Sequence, residues 1–241
     1  SYAVCANSNT TTGAVTRYGM SCKSVRGPTW ITSGTSMSTA NSVGTFNWFN
    51  LTWPNAAADP CAPTGAWTVT TTLTCTNVNL TVTTLNVTET GSLTLRNVTF
   101  RSGNIYVTNG GRLSYENTTH DGSQAWWLNG NLTIGGHVNL SGTTVYLNGS
   151  ADGSAGLNTT NTGYLFVRGN ASNITAGETT TNGYFWWNDA GSNLSLQDTS
   201  IFYSGYSGTR YGRGLTINTT AVNISRVHIY DSGYVGLTIL E

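Results

Sequence analysis

The sequence predicts an all-β chain whose larger part is a solenoid of repeated strands behind a disulfide-bearing N-terminal cap. Three observations predict it. Thr, Val, Ile, Leu, Trp and Tyr recur throughout the 241 residues, and β-branched and aromatic side chains favour pleated strands. All four cysteines fall in the first third of the chain, ahead of the repeat, and mark off the cap. Finally, one phrase of alternating apolar residues returns along the chain.

The first 75 or so residues stand apart. They hold all four cysteines (Cys5, Cys22, Cys61 and Cys75), all four prolines and irregular apolar spacing, and read as a cap over residues 1–75. Four cysteines allow three pairings. Cys5–Cys22 and Cys61–Cys75 are favoured because each closes a short local loop, with free buried thiols as the alternative. A zinc site has less support, since no CxxC pair or neighbouring His accompanies them.

Residues 76–241 carry the repeat. Ser92-Leu-Thr-Leu-Arg-Asn-Val-Thr-Phe-Arg-Ser-Gly103 matches Asn193-Leu-Ser-Leu-Gln-Asp-Thr-Ser-Ile-Phe-Tyr-Ser-Gly205. In Asn223-Ile-Ser-Arg-Val-His-Ile-Tyr-Asp-Ser-Gly233, Ile224, Ile229 and Gly233 repeat Leu196, Ile201 and Gly205. Weaker copies start at Arg112 and at Asn131, the latter closing at Ser141-Gly142. Leu93 and Leu95 alternate with polar residues, and the apolar phase then slips across Arg96-Asn97 before resuming at Val98 and Phe100. The same slip follows Leu196 and Ile224. A strand, a two-residue bend and a second strand, repeated about every twenty residues, describe one coil of a solenoid.

In this pattern residues 76–240 resemble the right-handed parallel β-helix family, the pectin-lyase-like solenoids. A β-sandwich with Gly-rich turns is the competing architecture. The resemblance implies that Asn97, Asn117 and Asp198, at the bends, can stack as an internal ladder. It also brings enzyme activity into consideration, because lyases of this fold hold Ca²⁺ with clustered acids and use Arg or Lys as base. Here Lys23 is the only lysine and the acids are isolated in sequence. Asp198 and Arg226, at neighbouring registers, are the pair that stacking would bring together, as an exposed ion pair or as a catalytic one. Glycosidases need two flanking carboxylates, and no such pair stands out. His120, His137 and His228 lack metal-ligand spacing, a Gly-x-Ser-x-Gly elbow is missing, and no cofactor is implied. The expectation is a protein without catalytic function.

The strongest local signal is Asn-x-Ser/Thr. It occurs at Asn9, Asn50, Asn79, Asn86, Asn97, Asn117, Asn131, Asn139, Asn148, Asn158, Asn170, Asn173, Asn193, Asn218 and Asn223. That is fifteen of twenty-six asparagines, where the Ser and Thr content alone predicts about seven. The excess points to N-glycosylation and an extracellular or cell-surface address. Asn79, Asn131, Asn193 and Asn223 fall out of phase with the inward Leu or Ile, so they should face solvent.

Charged residues make up 8% of the chain, ten acids against ten bases, where soluble proteins average about 25%. This offers no footprint for nucleic acid and no cluster for an anionic membrane. No apolar run spans a bilayer, and the absence of a leader at Ser1 reads as a processed start. Trp126-Trp127 and Trp186-Trp187 should each place one ring in the core and one outside, the outer ring stacking on a sugar, packing beneath the protein's own glycan or contacting a subunit, with a loop-covered satellite core as the alternative. Tyr206 and Tyr211, in a Tyr/Arg/Gly segment from Tyr203 to Gly214, have interface-like composition.

The apolar final strand, residues 233–241, reads as an uncapped solenoid end, on which either more protein follows or another subunit stacks. A structural subunit of an extracellular filament, sheath or surface layer, stacked head to tail on copies of itself, is therefore expected; archaeal surface glycoproteins look similar in charge and glycan density. An adhesin or glycan-binding module is the alternative, and a polysaccharide lyase or hydrolase the third.

Overall fold

The computed structural model describes residues 3–12, 15–24, 30–33, 59–119, 124–177, 182–205, 214–232 and 236–240. For 3–33, and at Asn170 and Ala171, only the backbone is described. The chain divides into two compact units, Ser1–Asn55 and Ala56–Glu241.

In the first unit β1 (Ala3–Thr12), β2 (Val15–Ser24) and β3 (Trp30–Ser33) form an antiparallel sheet in that order. The register sets Cys5 directly opposite Cys22, the pairing favoured from their spacing.

The second unit is a parallel β-solenoid with three faces. Along the first face lie β5 (Thr72–Thr76), β7 (Ser92–Arg96), β9 (Arg112–Glu116) and β12 (His137–Ser141), then the leading halves of β15 (Tyr164–Ala176), β17 (Asn193–Phe202) and β19 (Ala221–Tyr230). The second face takes the leading halves of β6 (Asn79–Val87) and β8 (Thr99–Val107), then β10 (Trp126–Leu128) and β13 (Thr144–Leu147), and the trailing halves of β15, β17 and β19. The third takes β4 (Ala66–Val69), the trailing halves of β6 and β8, then β11 (Asn131–Ile134), β14 (Gly156–Thr159), β16 (Phe185–Asn188), β18 (Leu215–Ile217) and β20 (Leu237–Ile239). Every pairing in this unit is parallel, which excludes the antiparallel sandwich.

The solenoid begins earlier than the sequence phrase suggested. β4 and β5 already belong to its first coil, so the unit boundary lies at Asn55 rather than near residue 75. The Cys61–Cys75 disulfide, with Cα atoms 5.6 Å apart, therefore ties a segment onto the first coil. The copy starting at Asn131 also proves to be a third-face strand; the first-face strand of that coil is β12. All three faces alternate apolar and polar residues with the same period, so the phrase alone does not tell one face from another.

Like residues stack from coil to coil. The inward row Leu80, Phe100, Trp126, Val145, Ile174, Ile201 on the second face is buried throughout. On the first face Leu95, Tyr115, Leu140, Val167 and Leu196 do the same.

The corners use local chemistry. Between the first and second faces a single residue turns the strand, with φ of +54° at Asn77, +51° at Asn97, +50° at Asp198 and +49° at Arg226. Asn and Asp tolerate this left-handed conformation better than most residues. Between the third and first faces, Thr88 and Thr108 each give both their backbone N–H and their hydroxyl to one carbonyl of the preceding coil, Val69 and Val87 respectively. Thr160 repeats this on Ile134. Gly163 follows at the same corner, where a Cβ would stand 2.1 Å from the Ile134 carbonyl oxygen.

The coil lengthens along the chain. First-face register partners Thr72, Ser92 and Arg112 are 20 residues apart, while His137, Tyr164, Asn193 and Ala221 follow after 25, 27, 29 and 28. In the last four coils the connection from the second face to the third is the one that lengthens, second-face strands ending at Leu147, Ala176, Phe202 and Tyr230 and third-face strands starting at Gly156, Phe185, Leu215 and Leu237, so the chain grows at this edge.

Candidate functional surfaces

Asn79, Asn193 and Asn223 are exposed on outward faces, as their phase predicted. Asn131 also points outward but is half-buried, with its Oδ1 covered and unpartnered. Asn86 and Asn158 join Asn131 on the third face, Asn139 lies on the first and Asn173 on the second. Asn148 opens a loop at the growing edge, and Asn218 sits at the corner between the third and first faces. Asn9 is placed by backbone alone, as is Asn170; Asn50 lies outside the described residues.

The bend asparagines behave differently. Asn117 is 5% exposed; its Nδ2 donates to the Gln124 carbonyl at 3.2 Å and its Oδ1 accepts from Thr119. Asn97 is half-buried and its Oδ1 accepts the Thr118 N–H at 2.8 Å. Asn97 and Asn117 thus each hold a threonine through the amide oxygen.

The Trp pairs divide as alternation requires, with one difference. Trp126 is fully buried, its Nε1 donating to Ser102 Oγ at 2.8 Å and its ring stacked on Tyr115. Its neighbour Trp127 faces out, stacked on Tyr146 at 5.5 Å, with the Arg101 guanidinium 4.4 Å from its ring centroid. Trp186 is in the core. Trp187, expected outside, is 4% exposed and donates to Asp189 Oδ1 at 2.8 Å. Strand alternation fixes only the face of the sheet, and the covered alternative holds for this ring. Tyr206 and Tyr211 lie outside the described residues. Further along the second face Phe202 stacks on Tyr230 at 5.0 Å, an outer stack the sequence reading missed; the matching positions of Phe202 and Tyr230 in two aligned phrases were the available signal.

Stacking does join Asp198 and Arg226, as an exposed ion pair. The hydrogen bond from Arg226 holds the Asp198 carboxyl below its usual range. Asp152 accepts the Gly183 N–H, and Asp189 the Trp187 ring N–H; these acids anchor chain locally. Among the described residues no three His, Cys, Asp or Glu side chains group to hold a metal. No helix there is long and apolar enough to cross a membrane.

The last coil differs from those before it. Its inward positions repeat the core row at higher exposure. Leu196 is 0% exposed and its register partner Ile224 41%; Ile217 is 2% exposed and its partner Ile239 68%. Leu237 is likewise exposed at 41%. Among the described residues β19 and β20 pair with β17 and β18 of the preceding coil.

No protein-family model, curated protein or solved structure matches the chain.

Proposed function

We propose that the chain is an extracellular, N-glycosylated structural subunit that assembles end to end with copies of itself. The observation that carries this reading is the set of sequons on all three lateral faces of a solenoid of stacked parallel coils. Glycans on the sides would obstruct lateral packing and leave the ends as the surfaces fit for contact. In an end-to-end contact, rows such as Ile224 and Ile239 would continue the core rows of the coil before them. Joining unlike ends is a heterologous contact, which propagates into a filament unless it closes into a ring.

The test is electron microscopy and sedimentation of the native glycoprotein, beside an Ile224→Asp/Ile239→Asp variant. Polymers that the variant loses are expected. Monodisperse monomers of the unaltered protein would reject the reading.

The Arg101–Trp127–Tyr146 stack favours a second function, glycan binding on the second face. Sugar-dependent quenching of tryptophan fluorescence, absent in Trp127→Leu, would support it.

A further inference from the structure

On the first face, β15 directs Tyr164 and Phe166 outward, their ring centroids 6.3 Å apart. In the preceding coil Asn139 is the register partner of Phe166; in the following coil Asn193 is the partner of Tyr164. Both asparagines head sequons, Asn139-Leu-Ser141 and Asn193-Leu-Ser195. Adjacent parallel strands stand about 4.8 Å apart, so each sequon amide neighbours an aromatic ring. His137 of the preceding coil packs on Tyr164 at 5.5 Å, and the guanidinium of Arg168, two residues along the same strand, lies 5.0 Å from the Phe166 ring centroid. At Asn139 the covered, unpartnered amide atom is Oδ1, whereas a glycan attaches through Nδ2. The motif recurs on the third face, where sequon residue Asn86 is the register partner of Tyr106, 43% exposed.

We propose that Tyr164 and Phe166 form a stacking platform for the first pyranose of N-glycans carried on Asn139 and Asn193. A pyranose has one face of C–H groups, electropositive at the hydrogens, which suits the negative π face of an aromatic ring. A single stack of this kind is weak between free molecules. Here the sugar is covalently tethered one strand away, so its effective concentration at the ring is of the order of mM or higher and the contact is populated. The docked sugar covers half-buried aromatic surface that otherwise contacts water. The glycan thereby braces three successive coils as well as solvating them.

This proposal rests on the glycosylation part of the function proposed above, and the experiment separates the two. Site occupancy is first mapped by mass spectrometry on the native protein. Melting temperatures are then compared for the native protein, Asn139→Gln, Phe166→Ser and the double variant, with Phe166→Leu as a variant that keeps apolar cover but lacks a π face. Asn139→Gln should lower Tm by about 2–4 °C in the Phe166 background and leave it unchanged in the Ser and Leu backgrounds. The Asn193→Gln and Tyr164→Ser cycle should behave alike. Equal shifts in all backgrounds, or glycans found elsewhere but absent from Asn139 and Asn193, overturn the platform and leave the address standing. Absence of glycan from every sequon overturns both.

Discussion

Arg226 lies one coil beyond Asp198 and grips its carboxylate with two guanidinium nitrogens, Nη2 reaching Oδ2 at 2.8 Å and Nε reaching Oδ1. Both residues occupy the same left-handed corner of successive coils. For Asp that conformation is tolerable; for Arg it is strained, and the ion pair offsets part of that strain. Arg226→Gly should therefore retain more thermal stability than Arg226→Ala, since glycine relieves the backbone while both remove the guanidinium. Equal melting temperatures would contradict this account of the corner.

The pair also sets a pH dependence. Because the Asp198 carboxyl is held below its usual range when folded, its contribution is present above the unfolded carboxylate pKa, near 3.9. It is lost as pH falls through the lower folded value. Asp198→Asn should thus flatten the acid limb of the stability curve, and added salt should shrink the difference because the pair is exposed. Denaturant titrations from pH 2 to 6 would show it.

At the alkaline end the sign reverses. Burial raises the phenols of Tyr115 and Tyr184, which donate to the carbonyls of Val98 and Ile174. Unfolded tyrosine ionises near pH 10, so above that pH the unfolded chain gains charge that the folded one does not. Stability should fall by up to about 1.4 kcal/mol per pH unit for each phenol. A Tyr184→Phe variant should show a shallower loss.

Removing the Cys61–Cys75 bridge as Cys61→Ala/Cys75→Ala frees a loop with a sequence separation of 14. A cost of about 3 kcal/mol is expected from chain entropy. Because the bridge ties the first coil, amide exchange should rise most in β4 and β5.

Gly163→Ala is expected to cost about 1–3 kcal/mol as an overpacking change, because the new methyl would meet the Ile134 carbonyl oxygen rather than a yielding side chain. Gly65→Ala places its methyl in open space but at φ +75°, and should cost only the backbone strain. Urea denaturation of the two variants separates crowding from conformation.

Glycan mapping should find Asn117 bare, since its Nδ2 is already spent on Gln124, and Asn79, Asn193 and Asn223 occupied. A glycan on Asn117 would mean that this corner opens.

The coil was legible wherever a side chain's phase decided its fate. Leu93 and Leu95, Leu196 and Ile224, and Ile201 and Ile229 fall on the faces their spacing assigned. The bends after Arg96, Gln197 and Ser225 were visible as phase slips, though not the left-handed single residue that makes them. Illegible features were those set by neighbouring coils. Trp187 alternates correctly yet is covered, and nothing in residues 131–134 distinguishes the third face from the first. The Thr88, Thr108 and Thr160 hydroxyls join carbonyls about twenty or more residues away, a distance that local pattern does not encode.

Since the strands run across the solenoid, the bonds between coils point along its axis. Tension applied from end to end would fall on those bonds directly, with all three faces of a coil sharing the load. Between β17 and β19, two faces must open together before the turn is released. Such a body would yield one coil at a time under pull, each step extending it by a full turn of chain, and would absorb work before breaking.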